Sequence, residues 1–128
     1  MDGWQGLADE LKTRVEMAGF YVFEKKVTYA SLSGEVVEEK RLIGYSPRGD
    51  VKLSYSENRD GGRLSFTLSG DSASKSLAER MERLGGMVDL DEGKRLYAVF
   101  TGISRKRAGE LIERLFGKKP SKMGGEDR

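Results

Sequence analysis

Residues 51–69, VKLSYSENRDGGRLSFTLS, contain the pattern that decides the fold. Apolar side chains occupy every second position at both ends of this segment. They are Val51, Leu53, Tyr55, Leu64, Phe66 and Leu68. Alternation with a period of two predicts strands with one buried and one solvent-facing side, as in an antiparallel sheet. The turn-forming residues 58–62 between the two ends predict the loop of a hairpin.

Two more strands are predicted immediately before this hairpin. Residues 20–31 and 36–45 are rich in β-branched and aromatic side chains, and the turn-forming pair Ser33-Gly34 separates them. A polar turn then leads into the alternating segment. Residues 20–69 are therefore expected to form a four-stranded meander.

Helical periodicity predicts three helices. They cover residues 4–18, 72–84 and 105–116. Gly19 fits the left-handed position that ends the first helix, and Asp71 or Ser72 is expected to cap the second. The third helix has the most complete apolar stripe, with five side chains at the i, i+3, i+4, i+7, i+8 spacing. These are Ala108, Leu111, Ile112, Leu115 and Phe116.

A second hairpin, residues 87–90 and 95–101, is predicted between the second and third helices. The element order is then α-β-β-β-β-α-β-β-α. The predicted fold class is α+β, with a largely antiparallel sheet and the helices packed on one face. Residues 1–117 are expected to form this single domain, and residues 118–128 a flexible basic and polar tail.

The composition excludes several classes of site. The chain of 128 residues has no cysteine and no histidine, so disulfides, thiolate metal sites and the usual general base are missing. We expect a protein that is not an enzyme and that uses no cofactor and no metal. Charged residues make up 34% of the chain against one glutamine and one asparagine, a balance typical of thermophile proteins. No secretory leader and no membrane span is predicted, and the expected location is the cytoplasm.

Positive charge is concentrated near the carboxyl end. Between Ser104 and Lys122 there are seven basic and two acidic residues, a net charge of +5, whereas the whole chain carries +2. The basic residues are Arg105, Lys106, Arg107, Arg114, Lys118, Lys119 and Lys122. Clustered positive charge attracts anionic partners. Together with Ser104, these residues are the predicted nucleic-acid-binding site.

Three of these cations stand at the start of the third helix, directly after Ser104, which is a good N-cap. A helix amino terminus carries partial positive charge, so three cations there should each cost roughly a few tenths of a kcal/mol. One explanation is an anion site at which backbone N–H groups and basic side chains meet a phosphate. The other is a solvated patch, or cations paired with acidic residues elsewhere in the fold.

The polar side of the meander carries hydroxyl and basic side chains, and no aromatic residue is expected there. Its residues are Lys52, Ser54, Arg63, Ser65 and Thr67. The aromatic surface on which single-strand binders stack bases is therefore predicted to be missing from this side. Tyr21, Tyr29 and Tyr45 remain candidates for stacking groups, but the edge of the core is their expected location.

These observations predict non-enzymatic nucleic-acid binding through phosphate contacts, with RNA, a ribosomal surface and DNA left open. The alternative is a protein-interaction adaptor or chaperone-like module that self-associates as a homodimer. The long strand 20–31 would then pair with another chain through an exposed edge, and Trp4 would anchor a partner. No membrane partner is expected.

Overall fold

A computed structural model describes the fold over residues 3–58, 61–91 and 94–117. These residues form the helices α1 (Gly3–Met17), α2 (Lys75–Arg83) and α3 (Arg105–Phe116). The strands are β1 (Tyr21–Ala30), β2 (Val36–Tyr45), β3 (Val51–Asn58), β4 (Gly61–Ser69), β5 (Met87–Asp91) and β6 (Arg95–Ile103). The predicted element order and the α+β class are confirmed.

The strands form one antiparallel sheet in the order β1-β2-β3-β4-β6-β5. The first four are the predicted meander, and the β5–β6 hairpin joins it through β6, which pairs with β4. One row across the sheet shows how the registers combine. Leu42 lies opposite Tyr55, Tyr55 opposite Leu64, and Leu64 opposite Phe100. All four side chains are buried, so this row belongs to the core.

The helices cover the side of the sheet to which that row belongs. Helix α1 contacts β1, β2 and α3, helix α2 contacts β5 and β6, and helix α3 contacts β4. The apolar stripe of α3 is buried as predicted, except that Phe116 is half-buried. The Phe116 ring packs on the sheet with its centroid 5.3 Å from that of Phe66. The opposite side of the sheet carries no helix among the described residues, and we call it the open face.

Helix α2 begins at Lys75, three residues later than the sequence pattern predicts. Its N-cap is Ser74, whose hydroxyl accepts a hydrogen bond from the Leu77 N–H at 3.1 Å. The prediction of a cap at Asp71 or Ser72 is wrong, because Gly70–Ser72 forms a short 3-10 turn instead. The Ser72 hydroxyl donates to the Asp50 carboxylate, and this bond, with one from Ser46, lowers the pKa of Asp50.

The predicted end of α1 is confirmed, since Gly19 adopts a positive φ of 99°. The predicted tail, residues 118–128, lies outside the described part of the chain, and so does the side chain of Trp4. None of the helices that the structure describes combines the length and apolar character that crossing a membrane requires.

Candidate nucleic-acid interface

The start of α3 has the expected cap, but its first cation is already paired. The Ser104 hydroxyl accepts a hydrogen bond from the Arg107 N–H at 3.0 Å. The Arg105 guanidinium binds both carboxylate oxygens of Glu57, with 2.6 Å between Nη2 and Oε1. Glu57 also accepts a hydrogen bond from the Tyr55 hydroxyl at 2.7 Å. Of the two explanations for the basic helix start, pairing with an acidic residue elsewhere in the fold therefore applies to Arg105.

The remaining described cations of α3 are more exposed. Lys106 faces solvent, and Arg107 is 3.7 Å from the Glu110 carboxylate one helical turn away. At the other end of the helix, Arg114 lies beside Arg80 and Arg83 of α2 and lines a shallow cavity with them. The Arg80 guanidinium donates to the Arg114 carbonyl at 2.8 Å.

The sequence-predicted site is thus divided along α3. Arg114 is nine positions after Arg105, which corresponds to about 14 Å along a helix. Lys118, Lys119 and Lys122 lie outside the described residues. The structure brings Arg114 together with Arg80 and Arg83 of α2. The sequence-based prediction missed these two arginines, because they belong to a different helix, distant in sequence.

The open face carries the residues that alternation assigned to it, but the expectation that it lacks aromatic side chains is wrong. Tyr21 lies opposite Tyr45, Tyr45 opposite Lys52, Lys52 opposite Thr67, and Thr67 opposite Tyr97. Directly opposed residues share one face of a sheet. This row therefore places three tyrosines beside the hydroxyl and basic side chains of β3 and β4.

Two of these tyrosines belong to a small aromatic patch, which we define as Tyr21, Phe23 and Tyr45. Phe23 and Tyr45 are stacked, with ring centroids 6.0 Å apart and planes inclined by 17°. The Lys52 ammonium lies 5.7 Å from the Tyr45 centroid, within the range of cation–π attraction. Tyr21 is 70% exposed. The prediction that Tyr21, Tyr29 and Tyr45 lie at the core edge is wrong, since all three are exposed on the open face.

The far end of the β1–β2 hairpin, residues 26–30 and 36–40, extends beyond the rest of the sheet, and we call it the arm. Pairing of β2 with β3 covers Arg41–Tyr45, so in the described structure the arm strands pair with each other alone. Tyr29 of the arm and Tyr97 of β6 nevertheless line the same cavity. Four strand spacings, about 19 Å in a flat sheet, separate their strands, so this cavity spans the open face from the arm to β6.

This cavity is a groove of about 420 Å³. Its lining consists of Tyr29, Glu39, Arg41, Ser54, Ser56, Arg63, Ser65 and Tyr97. The Arg41 Nε lies 2.5 Å from Glu39 Oε1. Arg63 is exposed and has no ion-pair partner among the described residues. The groove therefore offers two aromatic rings, a free guanidinium, a paired guanidinium and three hydroxyls in one concave surface.

Charge on the open face is uneven. Four cations of β1 to β4 lie on it, namely Lys25, Arg41, Lys52 and Arg63, together with the carboxylate of Glu39. At the other edge, β5 contributes Asp89 and Asp91, and β6 contributes Arg95. An anionic chain would therefore be attracted to the β1–β4 part of the face and repelled from its β5 edge.

The groove has the chemical groups that hold nucleotides in other proteins. Tyrosine rings stack on bases, arginines bind phosphate, and serine hydroxyls donate to phosphate or sugar oxygens. Its volume lies within the usual range for small-molecule sites. No family model and no curated protein matches the chain, so the functional argument depends on this geometry.

Proposed function

We propose that the protein binds single-stranded nucleic acid in the groove of its open face. One observation carries the proposal: two tyrosines, two arginines and three serines converge on one concave surface of about 420 Å³. Tyr29 and Tyr97 would stack on bases, and the exposed Arg63 guanidinium would donate hydrogen bonds to the bound strand. Stacking on side chains requires unpaired bases, which favours a single strand over a duplex.

The first test is binding measured against salt concentration. We expect a labelled single-stranded oligonucleotide to bind, with a log–log slope near −1.4 for about two phosphate contacts. Arg63→Gln should weaken binding, since the hydrogen bonds from this guanidinium to the strand are lost. Failure of the wild-type protein to bind single strands at low salt would contradict the proposal.

The matched control for Arg63 is Arg83 of α2, which is also exposed but lies on the helix side of the sheet. Arg83→Gln should leave binding within about twofold of wild type, a difference of roughly 0.4 kcal/mol. If Arg83→Gln weakens binding and Arg63→Gln does not, the strand is bound at the ends of α2 and α3. That result would place the nucleic-acid-binding site at the basic carboxyl-terminal end that contains Arg114.

Stacking is tested separately from charge. Tyr97 is 42% exposed in the groove, so Tyr97→Leu keeps apolar bulk there but removes the ring. A stacked base contributes about 1–3 kcal/mol, and the substitution should weaken binding about five- to 150-fold. The control is Tyr21→Leu in the aromatic patch, which lies on the same face but outside the groove lining. Equal effects of the two substitutions would contradict stacking at Tyr97.

A second function, protein interaction, is favoured by a different observation. Strand β1 pairs with β2 on one side, and its other edge has no strand partner in the described structure. The aromatic patch borders this edge, with Tyr21 and Phe23 on β1 itself. An exposed edge next to apolar side chains is suited to adding a strand from another chain. Light scattering would show a nuclease-insensitive dimer, and Phe23→Ser should dissociate it.

A further inference from the structure

One acidic side chain, Glu39, lines the groove together with the basic and hydroxyl groups. It belongs to the arm, and its side chain is 16% exposed. Its Oε1 accepts from Arg41, and no other hydrogen bond of Glu39 is found among the described residues. A carboxylate weakens the attraction of a site for phosphate. In a groove that holds a nucleotide, as proposed above, Glu39 is therefore better suited to contact the base.

The four bases differ in the donors they offer to a carboxylate. An ionised carboxylate can only accept hydrogen bonds, and it has two oxygens to do so. Guanine presents two adjacent donor groups, N1–H and the N2 amino group, whereas adenine and cytosine present one amino group. Uracil presents a single N–H between two carbonyl oxygens, and these carbonyl oxygens are repelled by a carboxylate. These groups lie on the Watson–Crick edge, which proteins contact in unpaired bases. The carboxylate therefore favours guanine.

The arginine across the groove favours the same base. Arg41, Ser56 and Arg63 form one row across β2, β3 and β4. Two strand spacings separate the first and last by about 10 Å, which leaves room for a base between their side chains. An arginine fork matches the O6 and N7 acceptors of guanine. Guanine combines these two acceptors with the two donors that a carboxylate requires.

We propose that the groove selects guanine. Glu39 accepts from N1–H and the N2 amino group, and Arg63 donates to O6 and N7. Tyr29 and Tyr97 stack on bases of the strand, as proposed above. Arg41 holds the Glu39 carboxylate in place through the 2.5 Å ion pair.

The test compares RNA pentamers of uridine that carry guanosine, inosine, adenosine or uridine at the centre. We expect the guanosine pentamer to bind most tightly. Inosine lacks the N2 amino group, and its pentamer should bind about tenfold more weakly because one hydrogen bond to Glu39 is lost. Affinities for the guanosine, inosine and uridine pentamers within twofold of one another would overturn the proposal.

A variant pair assigns the selectivity to Glu39. Glu39→Gln replaces one acceptor oxygen with a donor, so the guanosine-to-inosine affinity ratio should fall close to one. The control is Glu38→Gln, because Glu38 is the neighbouring residue on the other face, 3.3 Å from Lys26. Glu38→Gln should leave the ratio unchanged. A ratio that survives Glu39→Gln would contradict the role of Glu39.

The two proposals fail in different ways. If all pentamers bind equally, the selectivity is wrong and single-strand binding stands. If no pentamer binds at low salt, both proposals are wrong.

Discussion

Arg105 shows how a residue that is unfavourable in its local sequence becomes favourable in the fold. A cation in the first turn of a helix costs up to about 1 kcal/mol. The bidentate pair with Glu57 is partly buried, and hydrogen bonds between charged groups contribute about 1.5–3 kcal/mol. The pair outweighs the helix dipole. It also fixes the start of α3 to the end of β3, where burial, together with Glu57, raises the pKa of Tyr55.

This pair leads to a stability prediction for Arg105→Gln. The substitution leaves the Glu57 carboxylate without its cation next to the buried Tyr55, so we expect a loss of about 1.5–3 kcal/mol in the free energy of unfolding. Urea denaturation at neutral pH measures it. The control Lys106→Gln alters an exposed side chain in the same turn and should stay within about 0.5 kcal/mol of wild type. Equal losses for the two variants would contradict a structural role for Arg105.

Gly62 is a second residue whose identity is set by its neighbours. A Cβ at this position would lie 2.6 Å from the Ile103 carbonyl oxygen and also too close to the Tyr55 hydroxyl. Gly62→Ala should therefore destabilise the protein by about 1–3 kcal/mol through overpacking. At Gly44 the nearest atom would be Leu53 Cγ at 3.2 Å, so Gly44→Ala should cost less. Thermal unfolding of both variants tests this order, and the reverse order would contradict it.

At the scale of elements, local patterns predict some boundaries and not others. The observed ends of helix α3 match the predicted ones, because its apolar stripe and its Ser104 cap are local features. The start of α2 does not match, since Ser72 is engaged by Asp50, which is distant in sequence. The sequence pattern also does not show which side chains of β1 lie on which face of the sheet. Phe20, which directly precedes the strand, and Val22 lie on the core side, whereas Tyr21 and Phe23 lie on the open face, so residues 20–23 show no apolar–polar alternation.

The contact between α1 and α3 predicts a dependence of stability on pH. Arg14 binds Glu113 through two hydrogen bonds of 2.6 and 3.0 Å, and these lower the pKa of the Glu113 carboxyl. A carboxyl whose pKa is lower in the folded state stabilises the protein above its unfolded pKa, about 4.3. That contribution is lost as the pH falls below about 4 through the folded pKa. Glu113→Gln should therefore reduce the loss of stability on acidification.

The measurement is the urea midpoint at several values between about pH 7 and pH 3. The control is Arg14→Gln, which removes the cause of the shift and should reduce the same part of the acid dependence. If the acid dependence of both variants matches that of wild type, the Arg14–Glu113 pair does not contribute to it.

At the scale of the whole molecule, the candidate site depends on registers that no single segment specifies. Alternation within residues 51–69 is enough to assign Ser54 and Arg63 to the polar face. Tyr29 and Tyr97 line the same groove through four successive strand pairings, each of which lies between different segments of the chain. Strand order and curvature are set by packing of the entire sheet on its helices. The fold class is therefore predictable from sequence, and the groove is not.

The same architecture separates the two basic regions. The groove opens on one side of the sheet, and α3 with the arginines of α2 lies on the other. A short strand bound in the groove would not reach the ends of α3 directly. The central claim is therefore a claim about which side of the sheet binds the ligand.

The most direct test is the change in amide chemical shifts when a short single-stranded oligonucleotide is added to isotopically labelled protein. We expect the perturbed amides to cluster on the groove strands, around Arg41, Ser54, Arg63 and Tyr97. Perturbations confined to the ends of α2 and α3, or no saturable perturbation at low salt, would contradict the account.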